Sequence, residues 1–337
     1  MGTITVTAPL HISCIFLVFA FLQQGSFAVY LGQNDSLNFM VLADWGGQST
    51  SPFVTPCEVN VAKQMGILAS SYESQFVLAL GDNFYYFGVS SVDDPRFNET
   101  FEDVFTADSL QVPWYLVAGN HDWHGNVQAQ IDYSKVSKRW NFPSFYYTLR
   151  YQIPSSQETV TFIMIDTVKL CGNTDDSDVL QQPTKPKDLL MVTEQFAWIE
   201  DQLKATMNDT YVIVAGHYPV WSIAEHGPTD CLVNGLRPML IKYNVSAYFS
   251  GHDHNLQHIK EDNSSVEYFV IGSAHVVDSS VAHKADVPAT WVKFHYADQA
   301  SLGGFSYMEA TPSGMDFTFA DGRAGKSLYH ATIKPRM

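Results

Sequence analysis

Five short blocks carry the residues best suited to chemistry in this chain. They are Ala43-Asp44-Trp45-Gly46, Gly81-Asp82-Asn83-Phe84-Tyr85, Gly119-Asn120-His121-Asp122, Gly216-His217 and Gly251-His252-Asp253-His254. Each sets Asp, Asn, Tyr or His beside a glycine, where an apolar run ends. Asp44, Asp82 and Asn120 follow one another at intervals of 38 residues. Carboxylates, a carboxamide and three imidazoles are hard and borderline donors, and together they exceed what one metal ion takes. The set reads as two metal ions sharing a carboxylate, the arrangement that serves in-line displacement at phosphorus. The chemistry expected is hydrolysis of a phosphate ester.

Each donor has an expected part. An Asp just beyond a strand points at the carboxyl edge of a sheet, where open α/β sheets bind ligands. Asp44 is expected to hold one metal and Asp82 to bridge both. Tyr85, once ionised, is a hard, charged donor that prefers a trivalent ion, so ferric iron is expected beside it. Asn120 offers a neutral carbonyl oxygen suited to a divalent ion, and His217 follows an apolar run. His252 and His254 are two apart, so along an extended chain they face one side and reach one metal each. His121, next to Asn120, is expected to contact the substrate. His226, nine residues after His217, is expected to protonate a leaving alkoxide.

The elements that must position these donors are also legible. Apolar runs at 37–43, 76–80, 114–118, 211–215 and 247–250 precede the blocks and are bounded by turn residues, as buried strands are. Thr55-Pro56-Cys57-Glu58 is a capping box with Pro at the first helical position, predicting a helix to about residue 71. Phe196, Ile199 and Leu203 lie on one helical face over 193–205. Stretches 146–165 and 267–328 are rich in strand patterns. The expected fold class is α/β with α+β character: a four-layer sandwich of two mixed β-sheets flanked by α-helices. No repeat or linker divides residues 29–337, which read as a single domain. The loop 171–189, acidic first and then bearing Lys and Pro, reads as a flap.

Composition narrows the partners. The chain carries 35 acidic and 19 basic side chains, a formal charge of −16. That argues against nucleic-acid backbones and anionic membrane surfaces as main partners. A small phosphate ester is still compatible, because bound metals reverse the local field. The apolar run 10–22 is too short to span a bilayer, and Ser26 and Ala28 follow it in a cleavage-like pattern. Residues 1–28 therefore read as a signal peptide, although 2–10 hold no Lys or Arg, and the destination is lysosomal or secreted. Of the cysteines left after cleavage, Cys171 and Cys231 are expected in loops near the later motifs and are paired. Cys57 is read as a buried helix cysteine. Sequons begin at Asn34, Asn98, Asn208, Asn244 and Asn263, and glycosylation is expected at Asn98 first, then among Asn208, Asn244 and Asn263.

The blocks together resemble the small, mammalian-type purple acid phosphatases, also called tartrate-resistant acid phosphatases, within the calcineurin-like metallophosphoesterases. The resemblance runs from about residue 37 to 328 and rests on ADWGG, GDNFYY, AGNHDW, GHYPVWSIAEHG, GHDHNLQ and HYADQASLGGF. It implies hydrolysis of phosphate monoesters by a metal-bound hydroxide at a dinuclear Fe(III)–M(II) centre. Asp44, Asp82, Tyr85 and His254 would bind Fe(III). Asp82, Asn120, His217 and His252 would bind Fe(II), or Zn or Mn in its place. The tyrosinate-to-ferric transition would colour the protein purple. Cys171–Cys231 matches a family disulfide, and the 171–189 loop matches a segment whose proteolysis raises activity. The implied substrates are small-molecule or phosphoprotein esters. The implied state is a monomer, intact or nicked into two disulfide-linked chains. Three departures stand out: Ala43 replaces a Gly, Cys57 and the odd cysteine count it leaves are not expected, and Gly272-Ser273-Ala274-His275 stands where the family tends to have a Gly-Ala-Gly-Asn-like turn. The rival readings are a secreted iron-carrying glycoprotein, and a phosphodiesterase or nucleotidase of the same superfamily. Tyr85 argues against the latter, because such relatives usually lack this ligand.

Overall fold

The apolar runs become the inner strands of two sheets. A computed structural model describes residues 26–28, 35–174 and 182–336. Most of the stretch read as a signal peptide, Asn34 and the acidic start of the flap, with Asp175, Asp176 and Asp178, lie outside the described residues. The first sheet contains β2 (Leu37–Leu42), β3 (Phe76–Leu80), β4 (Trp114–Val117) and β5 (Trp140–Asn141), all parallel. β13 (Gly304–Ala310), β14 (Met315–Asp321) and β15 (Ser327–Ile333) extend it antiparallel from the β2 edge.

The second sheet runs in the order β1 (Ser26–Ala28), β6 (Tyr147–Gln152), β7 (Thr159–Met164), β8 (Tyr211–Ala215), β9 (Ala247–Ser250), β11 (Glu267–Ile271), β10 (Leu256–Lys260), β12 (Val292–Tyr296). Its centre, β7-β8-β9-β11, is parallel. The period-two alternation of side chains explains the layers. Tyr211, Ile213 and Ala215 point into the core between the sheets, while Val212 and Val214 point into a second core. That outer core is covered by α3 (Thr167–Cys171), α4 (Leu189–Ala205), α5 (Asp230–Gly235) and α6 (Arg237–Lys242). On the other side α1 (Pro56–Ser71) packs on the first sheet, and α2 (Val127–Tyr133) lies near β5. The observed architecture is the four-layer sandwich expected. Among the described residues, no helix is long and apolar enough to cross a membrane.

Local signals held where they were local. The capping box is formed: Thr55 Oγ1 accepts from the Glu58 amide at 3.1 Å, and Glu58 Oε2 accepts from the Thr55 amide at 3.3 Å. Three details differ. α4 begins at Leu189, a turn before the expected 193, because Asp188 Oδ1 caps the Leu190 and Met191 amides at 3.0 and 3.1 Å. Its first turn carries exposed Leu189 and Leu190, so no buried stripe announced it. Cys171 and Cys231 sit in the short helices α3 and α5 rather than in loops, and they are joined as a disulfide with Cα atoms 5.6 Å apart. Cys57 is free and lies in α1 as expected, but is half-buried rather than buried.

Candidate metal centre

All the donor residues come from loops at the carboxyl ends of parallel strands in both sheets. Asp44 follows β2, Asp82 follows β3, Asn120 follows β4, His217 follows β8, and His252 and His254 follow β9. Glycine neighbours make room for this convergence. A Cβ on Gly119 would lie 2.2 Å from Asp82 Oδ1, and one on Gly251 would lie 2.3 Å from Asp44 Oδ2. Asp44, Asp82 and His252 adopt the left-handed backbone, with φ of 55°, 51° and 70°. A non-glycine residue held there costs on the order of 1–3 kcal/mol and clusters at functional sites.

The donor atoms form two groups. In the first, Tyr85 Oη lies 3.0 Å from Asp44 Oδ1, 3.1 Å from Asp82 Oδ2 and 2.9 Å from His254 Nε2. In the second, His217 Nε2 lies 2.9 Å from Asn120 Oδ1 and 3.3 Å from Asp82 Oδ2. Ligand atoms of Asp82, His217 and His252 all fall within 4.8 Å of one another. Donors bound at ~2.1 Å at right angles around one ion stand about 3.0 Å apart, so these spacings suit coordination. Asp82 Oδ2 belongs to both groups.

The electrostatics point the same way. Burial, then the charges of Asp44 and Asp82, push the Tyr85 phenol well above its ordinary range; a phenolate there needs a strong cation. Burial, with the neighbouring imidazoles adding to it, pushes His252 well below its ordinary value, leaving a neutral ring with a lone pair to offer. For His217 burial opposes the charge, but Asp82 and Asp44 outweigh it and raise the imidazole to about 9. A proton there occupies the place of a cation between carboxylates. His217 Nδ1 lies 2.9 Å from the Leu80 carbonyl; donating there turns Nε2 toward Asn120 and Asp82.

A surrounding layer fixes these loops. Asp122 accepts from the Gly119 amide at 2.8 Å, the Asn83 amide at 3.1 Å and Gln130 Nε2 at 2.7 Å, tying the second and third blocks together. Burial and the charge of Asp82 raise its carboxyl to about 6. Asn83 accepts from Trp45 Nε1 at 3.1 Å, and Trp45 is buried among Trp114, Trp140, Phe101 and Phe105. The Arg96 guanidinium donates to the carbonyls of Tyr85 and Gly46. Asp253 accepts from the His226 amide at 2.9 Å and from Ser222 Oγ.

His121 and His226 border the donors. His121 Nδ1 lies 2.9 Å from the Tyr86 carbonyl and its Nε2 3.9 Å from Asp82 Oδ2. The His226 ring stacks on His252 at 4.0 Å and 22°. Thus all nine sequence-predicted residues meet in one place, with one correction of route. His252 and His254 do not share a face of an extended chain. The chain bends at His252, whose amide donates to Asp44 Oδ2 at 2.8 Å, and the bend sends His254 to the first group and His252 to the second. Asn83, Asp122 and Asp253 were not anticipated as supports; all three sit inside the motif blocks, which was the available signal.

Residues 37–256 match the family model for calcineurin-like phosphoesterases. The chain is 51% identical over 306 residues to tartrate-resistant acid phosphatase type 5 of Oryctolagus cuniculus, covering 90% of this chain and 93% of that one. It is 30% identical over 316 residues to purple acid phosphatase 17 of Arabidopsis thaliana, covering 91% and 88%. Among solved structures, GAP50, the anchor in the inner membrane complex of Plasmodium, superposes with a TM-score of 0.75 at 22% identity, covering 90% of each chain. At that identity the likeness concerns the fold alone.

Proposed function

The chain belongs to the calcineurin-like phosphoesterases, in their tartrate-resistant acid phosphatase group, and on that premise we propose how its residues divide the reaction. The activity is hydrolysis of phosphate esters at a dinuclear metal centre, an acid phosphatase reaction. We assign the trivalent position to Asp44, Asp82, Tyr85 and His254, and the divalent position to Asp82, Asn120, His217 and His252. The observation that carries this is Asp82 Oδ2, 3.1 Å from Tyr85 Oη and 3.3 Å from His217 Nε2, the oxygen common to both groups. A phenolate with two carboxylates suits Fe(III); an amide oxygen with two imidazoles suits Fe(II), Zn or Mn.

When bound, the two cations polarise phosphoryl oxygens and acidify water. Five positive charges against three negative donors leave an excess of about two, which draws a phosphate dianion to a chain of acidic surface. The protein supplies the rest. His121 Nε2, turned inward by the Tyr86 carbonyl, donates to a phosphoryl oxygen. His226, held over His252, gives a proton to the leaving-group oxygen.

The same reading extends to the chain's fate. Residues 1–28 act as a signal peptide, whose removal takes the edge strand β1 away from β6, and 29–337 form one domain, delivered to lysosomes or secreted, where the Cys171–Cys231 disulfide is stable. Asn98, Asn208 and Asn263 are exposed and open to glycosylation; Asn244 is half-buried and accepts from Ser265 Oγ. Substrates are small-molecule or phosphoprotein esters, and the chain acts as a monomer, with exposed Lys185 and Lys187 the place for a nick. The test is metal analysis, a visible spectrum and turnover of an aryl phosphate. Active protein with about two irons is expected to be violet, and Tyr85→Phe to bleach it. Loaded, active protein without a visible band would refute the Tyr85 assignment.

A further inference from the structure

We propose that His275 is a positioning residue for Tyr85, its imidazole stacked on the phenol ring so that water cannot reach the phenolate. This rests on the reading of Tyr85 as ligand of the trivalent ion. The His275 and Tyr85 rings lie 4.1 Å apart and 25° from coplanar. His121 packs against the same phenol at 4.4 Å. Tyr85 is fully buried and His275 is 6% exposed, whereas Tyr86 is 42% exposed. Tyr86 Oη lies 3.5 Å from His275 Nε2, so His275 stands against both the buried phenol and a residue that faces solvent.

The turn that carries His275 is itself anchored. The His275 carbonyl accepts from Oγ1 of Thr55, the capping residue of α1, at 2.8 Å. A Cβ on Gly272 would lie 2.2 Å from the Asp253 carbonyl and 2.9 Å from Asp44 Oδ2, so this turn presses on the donor loops. The backbone that carries the imidazole is therefore held in place beside the donor loops. With the stack in place, the phenol oxygen meets Asp44, Asp82 and His254 at 2.9–3.1 Å. Truncating His275 leaves a space beside the phenol with the Tyr86 hydroxyl at its edge, a polar gap that water can enter. Water donating to the phenolate lowers its donor strength and raises the energy of electron transfer from phenolate to ferric ion.

The experiment compares the wild type with His275→Ala and His275→Phe, the latter keeping a stacked ring. In the metal-free proteins, hydroxyl-radical footprinting read by peptide mass spectrometry reports access to each ring. Tyr86 should be hydroxylated in all three proteins and Tyr85 only in His275→Ala. In the iron-loaded proteins at matched metal content, the visible band should move to shorter wavelength in His275→Ala and return in His275→Phe. Tyr85 equally protected in His275→Ala and wild type would overturn the proposal, as would an unmoved band. A loaded wild type without a band would refute the ligand reading of Tyr85, and the footprint would still decide the shielding.

Discussion

Replacing His226 with Ala removes an imidazole that the fold holds over His252, 4.0 Å from ring to ring. The backbone anchor of that residue, its amide on Asp253 Oδ1 at 2.9 Å, survives the substitution. None of the seven assigned donors loses an atom, so both metals should stay. What disappears is the proton for the leaving group, worth about 10²–10⁴ in kcat, or roughly 3–5 kcal/mol of barrier. The loss should depend on the leaving group. An alkoxide cannot depart without a proton, whereas a nitrophenolate can, so an alkyl phosphate should show the full effect and a nitrophenyl phosphate less than about tenfold. Burial, partly offset by Asp253, holds the His226 imidazole below its ordinary value. Its acid form is thus populated at acid pH, and wild-type kcat on the alkyl ester should fall as pH rises through that value. His226→Ala should lack this limb. The assay is kcat on both esters across pH, with metal content measured on the same samples. Equal losses on the two esters, or loss of a metal equivalent, would place His226 in ligation or packing and refute the reasoning.

Asn120→Ala and His217→Ala should lose the divalent ion first and most of the turnover, because Asn120 Oδ1 and His217 Nε2 meet at 2.9 Å in one donor group. Two retained metals and near-normal activity in Asn120→Ala would break the dinuclear assignment. Asp166 gives a pH signature in stability: burial raises its carboxyl from 3.8 to about 7. The folded state therefore binds this proton more tightly than the unfolded state. Its contribution is fully present below about pH 4 and is lost as pH rises to about 7, by a few kcal/mol at most. Denaturant midpoints should show that decline in the wild type and a shallower one in Asp166→Asn; parallel profiles would exclude it. Cleavage at the exposed Lys185–Lys187 segment should raise kcat/KM several-fold with metal content unchanged, the pieces staying joined through Cys171–Cys231. Limited proteolysis followed by assay checks this, and equal activity of intact and nicked forms would leave the segment without an inhibitory part.

Much of this molecule was determined by sequence alone. Strands at 76–80, 211–215 and 247–250 and the capped helix α1 match their expected bounds, because an apolar run or a capping box acts on neighbours a few residues away. The donor set was legible for a chemical reason: carboxylate, phenol, carboxamide and imidazole beside glycines at strand ends suit few tasks other than holding metals. The grouping of those donors, with Asp82 shared and His252 and His254 reaching one metal each, was expected too; tertiary structure decided the route by which it is reached. Asp82 became the shared residue because β3 lies between β2 and β4 in the first sheet. His252 and His254 parted because the Asp44 carboxylate, 208 residues earlier, takes the His252 amide. The same holds for Asp188 starting α4 early, for Cys57 left half-buried, and for His275 brought onto Tyr85 across 190 positions of sequence. Each depends on which surfaces meet after the sheets close on their core, and no pattern within one segment encodes such a meeting.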